Sequence, residues 1–342
     1  MLVVRPAGPD DFHSLMELAV LSGRGFTSLP EDEPTLRMRL GTSLASFTGE
    51  LAPIECWYTL MLEDSDTGQV EGVAGVRAGV GLKRPHFSFR VVTLAQHSSV
   101  IGTRFDHRAL VLVNECAGFS EVGSLFLRPE RRSGGAGRLL AQSRYMLIAA
   151  DPTRFADQVL AELRGWFDED GACPFWETVG CKFFRLPFDE ADRMSASTDG
   201  QFILDLAPRH PIYVELLPEA ARDSVGRVHR QGEPALAMLA KEGFRPNGLV
   251  DIFDAGPTVM AHRDEIRTVR DSLRLRVQLG QPDGAQALIS AERIHDFRAV
   301  LSHVAIEEGT AVLSPETAGV LRVADGDMVR VKINVPSQRT SA

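Results

Sequence analysis

Apolar and polar positions along the chain mark out its first elements. Residues 2–5 read as a strand, and Asp10-Asp11 then offers an N-cap for a helix that carries Phe12, Leu15, Met16 and Ala19 at helical spacing. A glycine-rich break at Gly23-Arg24-Gly25 and a turn at Thr27-Ser28-Leu29-Pro30 follow. A second helix is predicted over 33–46, with Leu36, Leu40 and Leu44 inward. Residues 58–63 and 70–80, joined by the polar turn 64–68, predict a β-hairpin, and further strand-like runs lie at 89–95 and 109–113. Leu125-Phe126-Leu127 is a short apolar strand. After a glycine-rich turn, Leu139, Leu140, Met146, Leu147 and Ala150 fall on one face of a helix.

The second half is patterned less regularly. Residues 155–163 read as a helix and 162–167 as a possible strand, then Pro174-Phe175-Trp176 opens a short aromatic helix that Gly180 ends before a strand holding Phe183 and Phe184. A helix-glycine-phenylalanine pattern recurs at 235–244, where Gly243 is placed as a C-cap. Residues 279–286 read as a linker, and Asp325-Gly326 as a hairpin turn before a terminal strand. The last seven residues are expected to fray.

Composition narrows the function classes. A chain of 342 residues, 44% hydrophobic and 24% charged, has room for more than one core. A net charge of −9 argues against a general nucleic-acid binder. Cys56, Cys116, Cys173 and Cys181 are scattered, which disfavours a metal site or a disulfide framework and fits a reducing compartment. No apolar run approaches the ~20 residues needed to span a bilayer, so a cytoplasmic protein is expected.

The most specific chemistry lies after Leu127. Arg128-Pro129-Glu130-Arg131-Arg132-Ser133-Gly134-Gly135-Ala136-Gly137 joins a strand to a helix. Such a turn aims backbone N–H groups and a helix N-terminus at one point, a natural seat for a phosphate or pyrophosphate. It is neither a P-loop nor a dinucleotide fingerprint. The spacing Arg132-x-x-Gly135-x-Gly137 resembles the pyrophosphate turn of the GNAT acyltransferases, which bind coenzyme A, and the order strand, helix, helix, strands, glycine turn, helix is that of a GNAT domain.

A wider set of strings extends the resemblance: Thr27-Ser28-Leu29-Pro30, Ser120-Glu121, Leu125-Phe126-Leu127, Pro174-Phe175-Trp176, His210-Pro211-Ile212-Tyr213, Gly226-Arg227-Val228-His229 and Asp251-Ile252-Phe253-Asp254-Ala255-Gly256-Pro257-Thr258. In this order the chain resembles the arginine N-succinyltransferase family, including the subunits of its two-chain arginine/ornithine form. The resemblance implies an α+β fold, GNAT-like, with two GNAT-like halves (residues 1–190 and 191–278) and a small β-rich C-terminal unit (287–334). It implies transfer of a succinyl group from succinyl-CoA, a co-substrate, to the α-amino group of L-arginine by direct attack in a ternary complex. No permanently bound cofactor or metal is expected, and a homo-oligomer or a pairing with a homologous subunit is.

For the site, the resemblance implies His229 as proton donor and Leu125 as a succinyl-CoA contact. With it go Phe126 and Leu127 beside the pantetheine arm, and Arg132, Gly135 and Gly137 on the pyrophosphate. Departures from the family pattern stand at Asn114-Glu115-Cys116, Arg230 and Ala255, and 82–87 is unusually basic. Read from the residues alone, His229 lies in a polar loop before a helix, where a surface or capping role is equally open. Glu121, Asp251 and Asp254 are candidates for the acceptor's guanidinium and Arg90 for its carboxylate; Asp254 can instead organise its own turn. The same chemistry on ornithine or another amine, and a non-catalytic partner subunit, remain as alternatives.

Overall fold

The computed structural model describes residues 1–23, 26, 28–197 and 200–333. The break at Arg24-Gly25, Thr27 of the following turn and the last seven residues therefore lie outside the described residues. The chain opens with β1 (Leu2–Pro6), α1 (Phe12–Ser22), α2 (Glu33–Thr48) and the hairpin β2 (Trp57–Asp64) and β3 (Val70–Arg77). A long second hairpin, β4 (Ser88–Ser98) and β5 (Thr103–Val113), precedes β6 (Ser120–Leu127), α3 (Ala136–Ala150) and β7 (Gln158–Glu162). Short elements follow: α4 (Cys181–Phe184), α5 (Phe188–Ser197), α6 (Gln201–Leu206), β8 (Ile212–Tyr213) and α7 (Glu219–Ser224). Then come α8 (Glu233–Glu242), β9 (Arg245–Val250), β10 (Pro257–His262) and α9 (Arg267–Asp271). The chain closes with β11 (Leu273–Leu279), β12 (Gln286–Ala291), β13 (Ala299–His303), β14 (Ala305–Glu307), β15 (Thr310–Leu313), α10 (Pro315–Leu321) and β16 (Met328–Ile333).

The sixteen strands of the described residues are linked in one hydrogen-bonded order, in which β1-β2-β3-β6-β7-β10-β9 form the central run. The period-two pattern of β2 shows how that run is covered. Leu60 and Leu62 face a core shared with Leu139, Leu140, Met146 and Leu147 of α3, whereas Met61 points to the opposite core with Leu15 and Leu18 of α1 and Leu36 and Leu40 of α2. Helix α2 starts where the Asp32 carboxylate accepts the Thr35 N–H and stops at Gly49, whose φ of 80° is left-handed. Helix α3 is buried on nearly every side, including Gln142, Ser143 and Arg144, because α9 and strands β12 and β13 pack where solvent would be.

The pattern at 235–244 is observed as read: α8 ends at Gly243 (φ 105°), whose N–H reaches Ala240 O, and Phe244 leads into β9. Strands β9 and β10 join the first unit directly, since β10 lies antiparallel to β7 with Val259 opposite Ala161. The C-terminal strands pack around their own core of Leu275, Ile289, Val300, Leu313 and Val329 and continue the sheet through β13 against β1.

Four local expectations are corrected. Residues 155–163 are not helical: Val159, Leu160 and Ala161 form β7, buried between β6 and β10, so tertiary pairing overrides the helix propensity of leucine, alanine and glutamate. Phe183 and Phe184 lie in α4, not a strand. Gly180 does not end a helix there; its missing side chain admits the Trp176 ring, which a Cβ would meet at 2.1 Å. Residues 279–286 connect β11 to β12 within one set of paired strands, through β16. Asp325-Gly326 follows α10, not a strand, and Gly326 N–H bonds Val277 O, so the turn is no hairpin.

Candidate active site

Strands β6 and β7 run parallel for only two residue pairs, Ser120–Val159 and Glu121–Leu160, and then part. The cause is local. Ser124 sits at φ 50° in a bulge that shifts the β3–β6 register between Val73 and Gly75, leaving Ser124 and Leu125 without registered partners on β3. The bulge turns Ser124 as well as Gly123 toward the α1–α2 connection, where Ser124 Oγ donates to Ser28 O at 2.8 Å.

The wedge holds two adjoining cavities of about 180 and 160 Å³ that share Ser28, Glu121, Gly123, Ser124, Glu162, Asp251 and Phe253. One opens toward α2 and the basic loop, with Arg39, Trp57, Arg77, Arg84 and His86 in its wall. The other opens toward α3 and α8, with Leu125, Arg144, Arg164, Phe188, Ala235 and Leu239.

The carboxylates of the wedge divide by hydrogen bonding. Asp254 is fully committed: Oδ1 accepts from Gly256 N–H (2.8 Å) and Oδ2 from Gly165 N–H (2.7 Å). Burial pushes its carboxyl up to about 6 against those two donors. Asp251 Oδ1 accepts from Phe253 and Asp254 N–H, while Oδ2 has no partner among the described residues; burial and the nearby Asp254 raise its pKa well above the usual carboxylate range. Glu121 takes Arg77 at 3.2 Å. Glu162 Oε1 lies 3.1 Å from His86 Nε2, an ion-pair contact whose angle is poor for a hydrogen bond. Burial works against the His86 charge, yet Glu162 and Glu121 raise its pKa to about 9.

At the other end of β6, the glycine turn has the form an anion seat requires. Gly134 (φ 69°) and Gly135 (φ 88°) are both left-handed, and the first intrahelical bond runs from Leu139 N–H to Gly135 O at 2.9 Å. The N–H groups of residues 136–138 therefore have no intrahelical acceptor, and Gly135 has no side chain to cap them. Two of the four arginines are occupied elsewhere: Arg128 binds Glu17 with both terminal nitrogens (2.8 and 2.6 Å), and Arg131 binds Glu71 and Asp64. Arg132, over the Phe126 ring and 3.3 Å from Leu127 O, and the exposed Arg138 have no carboxylate within ion-pair distance among the described residues.

His229 stands at the outer rim of the second cavity, not in its wall. Its N–H bonds Arg164 O (2.9 Å), and the preceding Val228 bridges Gly165. The imidazole packs edge-on against Phe167, which packs in turn on the cavity residue Phe188. The side-chain Nδ1 accepts the Gln231 N–H at 3.2 Å, so the neutral imidazole carries its proton on Nε2. Burial, reinforced by Arg164 and Arg230, holds the imidazole below its ordinary pKa.

A family model described as the arginine N-succinyltransferase beta subunit matches residues 2–268, and one for the C-terminal domain of that subunit matches residues 272–332. The chain belongs to the arginine N-succinyltransferase family. It is accordingly an enzyme, an acyltransferase. Curated relatives from two Escherichia coli strains (55989 and O127:H6), both named arginine N-succinyltransferase, are 40% identical over 334 residues, 97% of either chain. Subunit AI of the arginine/ornithine succinyltransferase from Pseudomonas aeruginosa has a solved structure similar to this one, with a TM-score of 0.89 and 35% identity over 97% of this chain and 98% of that one.

Within this succinyltransferase fold the structure brings Leu125, Glu121, Asp251 and Asp254 to the wedge and sets Arg132, Gly135 and Gly137 at the far end of the same strand. It separates Arg90, which is bound by Glu115 and by Asn247 O (2.8 Å) outside both cavities. Cys116 is buried with its thiol pushed up to about 11 by burial and by Glu162 and Glu115, which makes it a poor nucleophile. Sequence reading missed Arg39, Arg77, Arg164 and the His86–Glu162 pair. The only signal was the basic run 82–87.

Proposed function

We propose that the chain moves the succinyl group of succinyl-CoA to the α-amino group of L-arginine within a ternary complex. The observation that carries this is the wedge opened by the Ser124 bulge at one end of β6, with the uncapped start of α3 at the other. On this reading Arg132, Gly135 and Gly137 seat the CoA pyrophosphate. The pantetheine amides run beside Leu125, Phe126 and Leu127 like an added strand, and the thioester reaches the bulge. The neutral amine attacks the thioester carbon, the C–N bond forms and the carbonyl oxygen becomes an oxyanion beside the β6 backbone. One backbone donor there is worth about 10²–10³ in rate. The nitrogen, cationic after the attack, sheds a proton to water, the C–S bond breaks as the carbonyl reforms, and the thiolate takes a proton. His229 supplies it as the imidazolium, and its lowered pKa makes that imidazolium a stronger acid toward the thiolate.

The division into residues 1–190, 191–278 and 287–334 gives the first part the CoA turn and the second the proton donor. No helix among the described residues is long and apolar enough to cross a membrane, and we assign the reaction to the cytoplasm. The name of the Pseudomonas relative, a subunit of an arginine/ornithine enzyme, favours a second reading in which ornithine is also accepted and a homologous chain pairs with this one, a homo-oligomer being the other assembly.

The test is CoA release from succinyl-CoA with L-arginine and L-ornithine offered separately, and acetyl-CoA as control donor. Arginine-dependent release, abolished in His229→Ala, is the expected result. Tight CoA binding with no release from any pair turns the assignment toward a non-catalytic subunit.

A further inference from the structure

Arg39 is a buried cation with no counter-ion among the described residues. Only 7% of the residue is exposed, and it lines the cavity on the α2 side of the wedge. One of its terminal nitrogens donates to Ser28 O at 2.7 Å, its guanidinium carbon lies 4.6 Å from the centre of the Trp57 ring, and its Nε is buried with no partner. No carboxylate of the described residues comes within ion-pair distance of it. A buried guanidinium is costly unless something negative completes it, and nothing among the described residues does.

The surroundings deepen the deficit. Trp57, Arg77 and Glu121 face one another in register across β2, β3 and β6, and Arg77 covers the same Trp57 ring at 4.7 Å. Glu121 answers the charge of Arg77; Arg39 has no such neighbour. Burial and the charges of Arg77 and Arg84 push the Arg39 guanidinium down to about 9, as expected of a positive site short of negative charge.

We propose that Arg39, supported by Arg77 across Trp57, is a carboxylate-binding subsite of the wedge. The proposal rests on the acyl-transfer reading above, which brings exactly two such groups to this place: the distal carboxylate of the succinyl donor and the α-carboxylate of the amino-acid acceptor. The planar fork of arginine suits bidentate capture of either.

The test is calorimetric binding to wild type, Arg39→Met and Arg39→Lys. The donor arm compares succinyl-CoA with butyryl-CoA, which lacks only the carboxylate function. The acceptor arm compares L-arginine with agmatine, its decarboxylated form, with CoA present. Arg39→Met is expected to weaken one carboxylate-bearing ligand roughly 10–100-fold, the worth of one charge-assisted contact, and to leave its carboxylate-free counterpart unchanged. Arg39→Lys should restore only part of the loss. Loss on the donor arm assigns the subsite to the succinyl tail, and loss on the acceptor arm assigns it to the amino acid. Equal weakening of all four ligands marks a structural residue and overturns the proposal, as does no weakening of any. Binding is read without turnover, so a wild type that binds these ligands but releases no CoA sinks the reaction and not the subsite.

Discussion

Gly165 and Asp254 approach so closely that the protein has no room for a side chain between them. The Gly165 N–H reaches Asp254 Oδ2 at 2.7 Å, and a Cβ on Gly165 would lie 2.2 Å from Asp254 O. Gly165 also bridges Val228, the residue before His229. On the proposed role of His229, Asp254 acts as a positioning residue: its carboxylate holds Gly165, and Gly165 bridges Val228, next to the imidazole. Gly165→Ala is expected to lower kcat by about 10² or more, because displacement of a reacting group by an ångström costs that much. CoA affinity, which the proposed reading assigns to the distant glycine turn, should stay within twofold. Asp254→Asn, which loses the charge but keeps one acceptor oxygen, should fall between. Steady-state kinetics beside CoA calorimetry checks this, and parallel losses in both would refute the positioning role.

Arg132 makes the complementary prediction. It is exposed, rests over Phe126 and has no carboxylate partner among the described residues, unlike Arg128 and Arg131. Arg132→Ala should raise KM for succinyl-CoA roughly 10-fold or more, the worth of about 1.5–3 kcal/mol for a charged hydrogen bond, and leave the KM for arginine alone. Arg131→Ala should instead lower thermal stability and leave KM unchanged, since its charge already serves Glu71 and Asp64. A swap of these two phenotypes would reassign the anion seat.

What the sequence made legible were features with a local cause. The αL glycines of the turn at 134–135, the C-cap at Gly243 and the alternation of Leu60, Met61 and Leu62 each follow from one residue's own geometry. The wedge itself was invisible, because it depends on Ser124 adopting φ 50°, which nothing in Gly-Ser-Leu announces. Strand β7 was misread for the same reason: its extended form is imposed by β6 and β10 on residues that favour helices. Ala255, at φ 55°, shows a departure explained by structure. Where the family pattern has glycine, this chain keeps the left-handed backbone and accepts the strain of a methyl group. The carboxylate-free burial of Arg39 joins α2 to the sheet over long sequence distances and has no sequence signature at all.

The C-terminal unit is fastened by a buried polar cluster, not by apolar contact alone. Lys332 Nζ on β16 donates to Thr268 Oγ1 (2.6 Å) and lies 3.3 Å from Glu242 Oε1, which also accepts from Gln142 Nε2 (2.8 Å), while Glu242 Oε2 accepts from Thr268 N–H (2.7 Å). The cluster ties β16 to α3, α8 and α9. Removing one partner of a buried pair strands the other charge at a cost of about 3–5 kcal/mol. Lys332→Met is expected to fall near the lower figure, because Gln142 and the Thr268 N–H still serve the carboxylate. Chemical denaturation should show the loss, and limited proteolysis should show earlier cutting in the 280–285 connection. An unchanged midpoint would mean that the cluster contributes no net stability.

The His86–Glu162 pair fixes how stability responds to alkali. His86 has a pKa near 9 in the fold against 6.5 as an ordinary imidazole, so between these values the folded chain holds a proton that the unfolded chain has lost. Stability from this group is complete below about pH 6.5 and is lost as the pH climbs through 9. Its ceiling is about 3.5 kcal/mol at roughly 1.4 kcal/mol per unit. Glu162 has the opposite dependence: its pKa is lowered by His86 and Arg77 against the cost of burial, so its contribution is present at neutral pH and disappears in acid. Together they predict a plateau near pH 6 with a descending alkaline limb. Because both side chains line the wedge, the same limb should appear in the affinity for a carboxylate ligand, whose positive surroundings weaken as His86 deprotonates. His86→Gln should flatten the alkaline limb in thermal melts taken from pH 6 to 9.5 and weaken the acid limb as well, since His86 is the first cause of the lowered Glu162 pKa. A wild-type melting temperature that stays level across that interval would show that Glu162 does not hold the imidazolium in the fold.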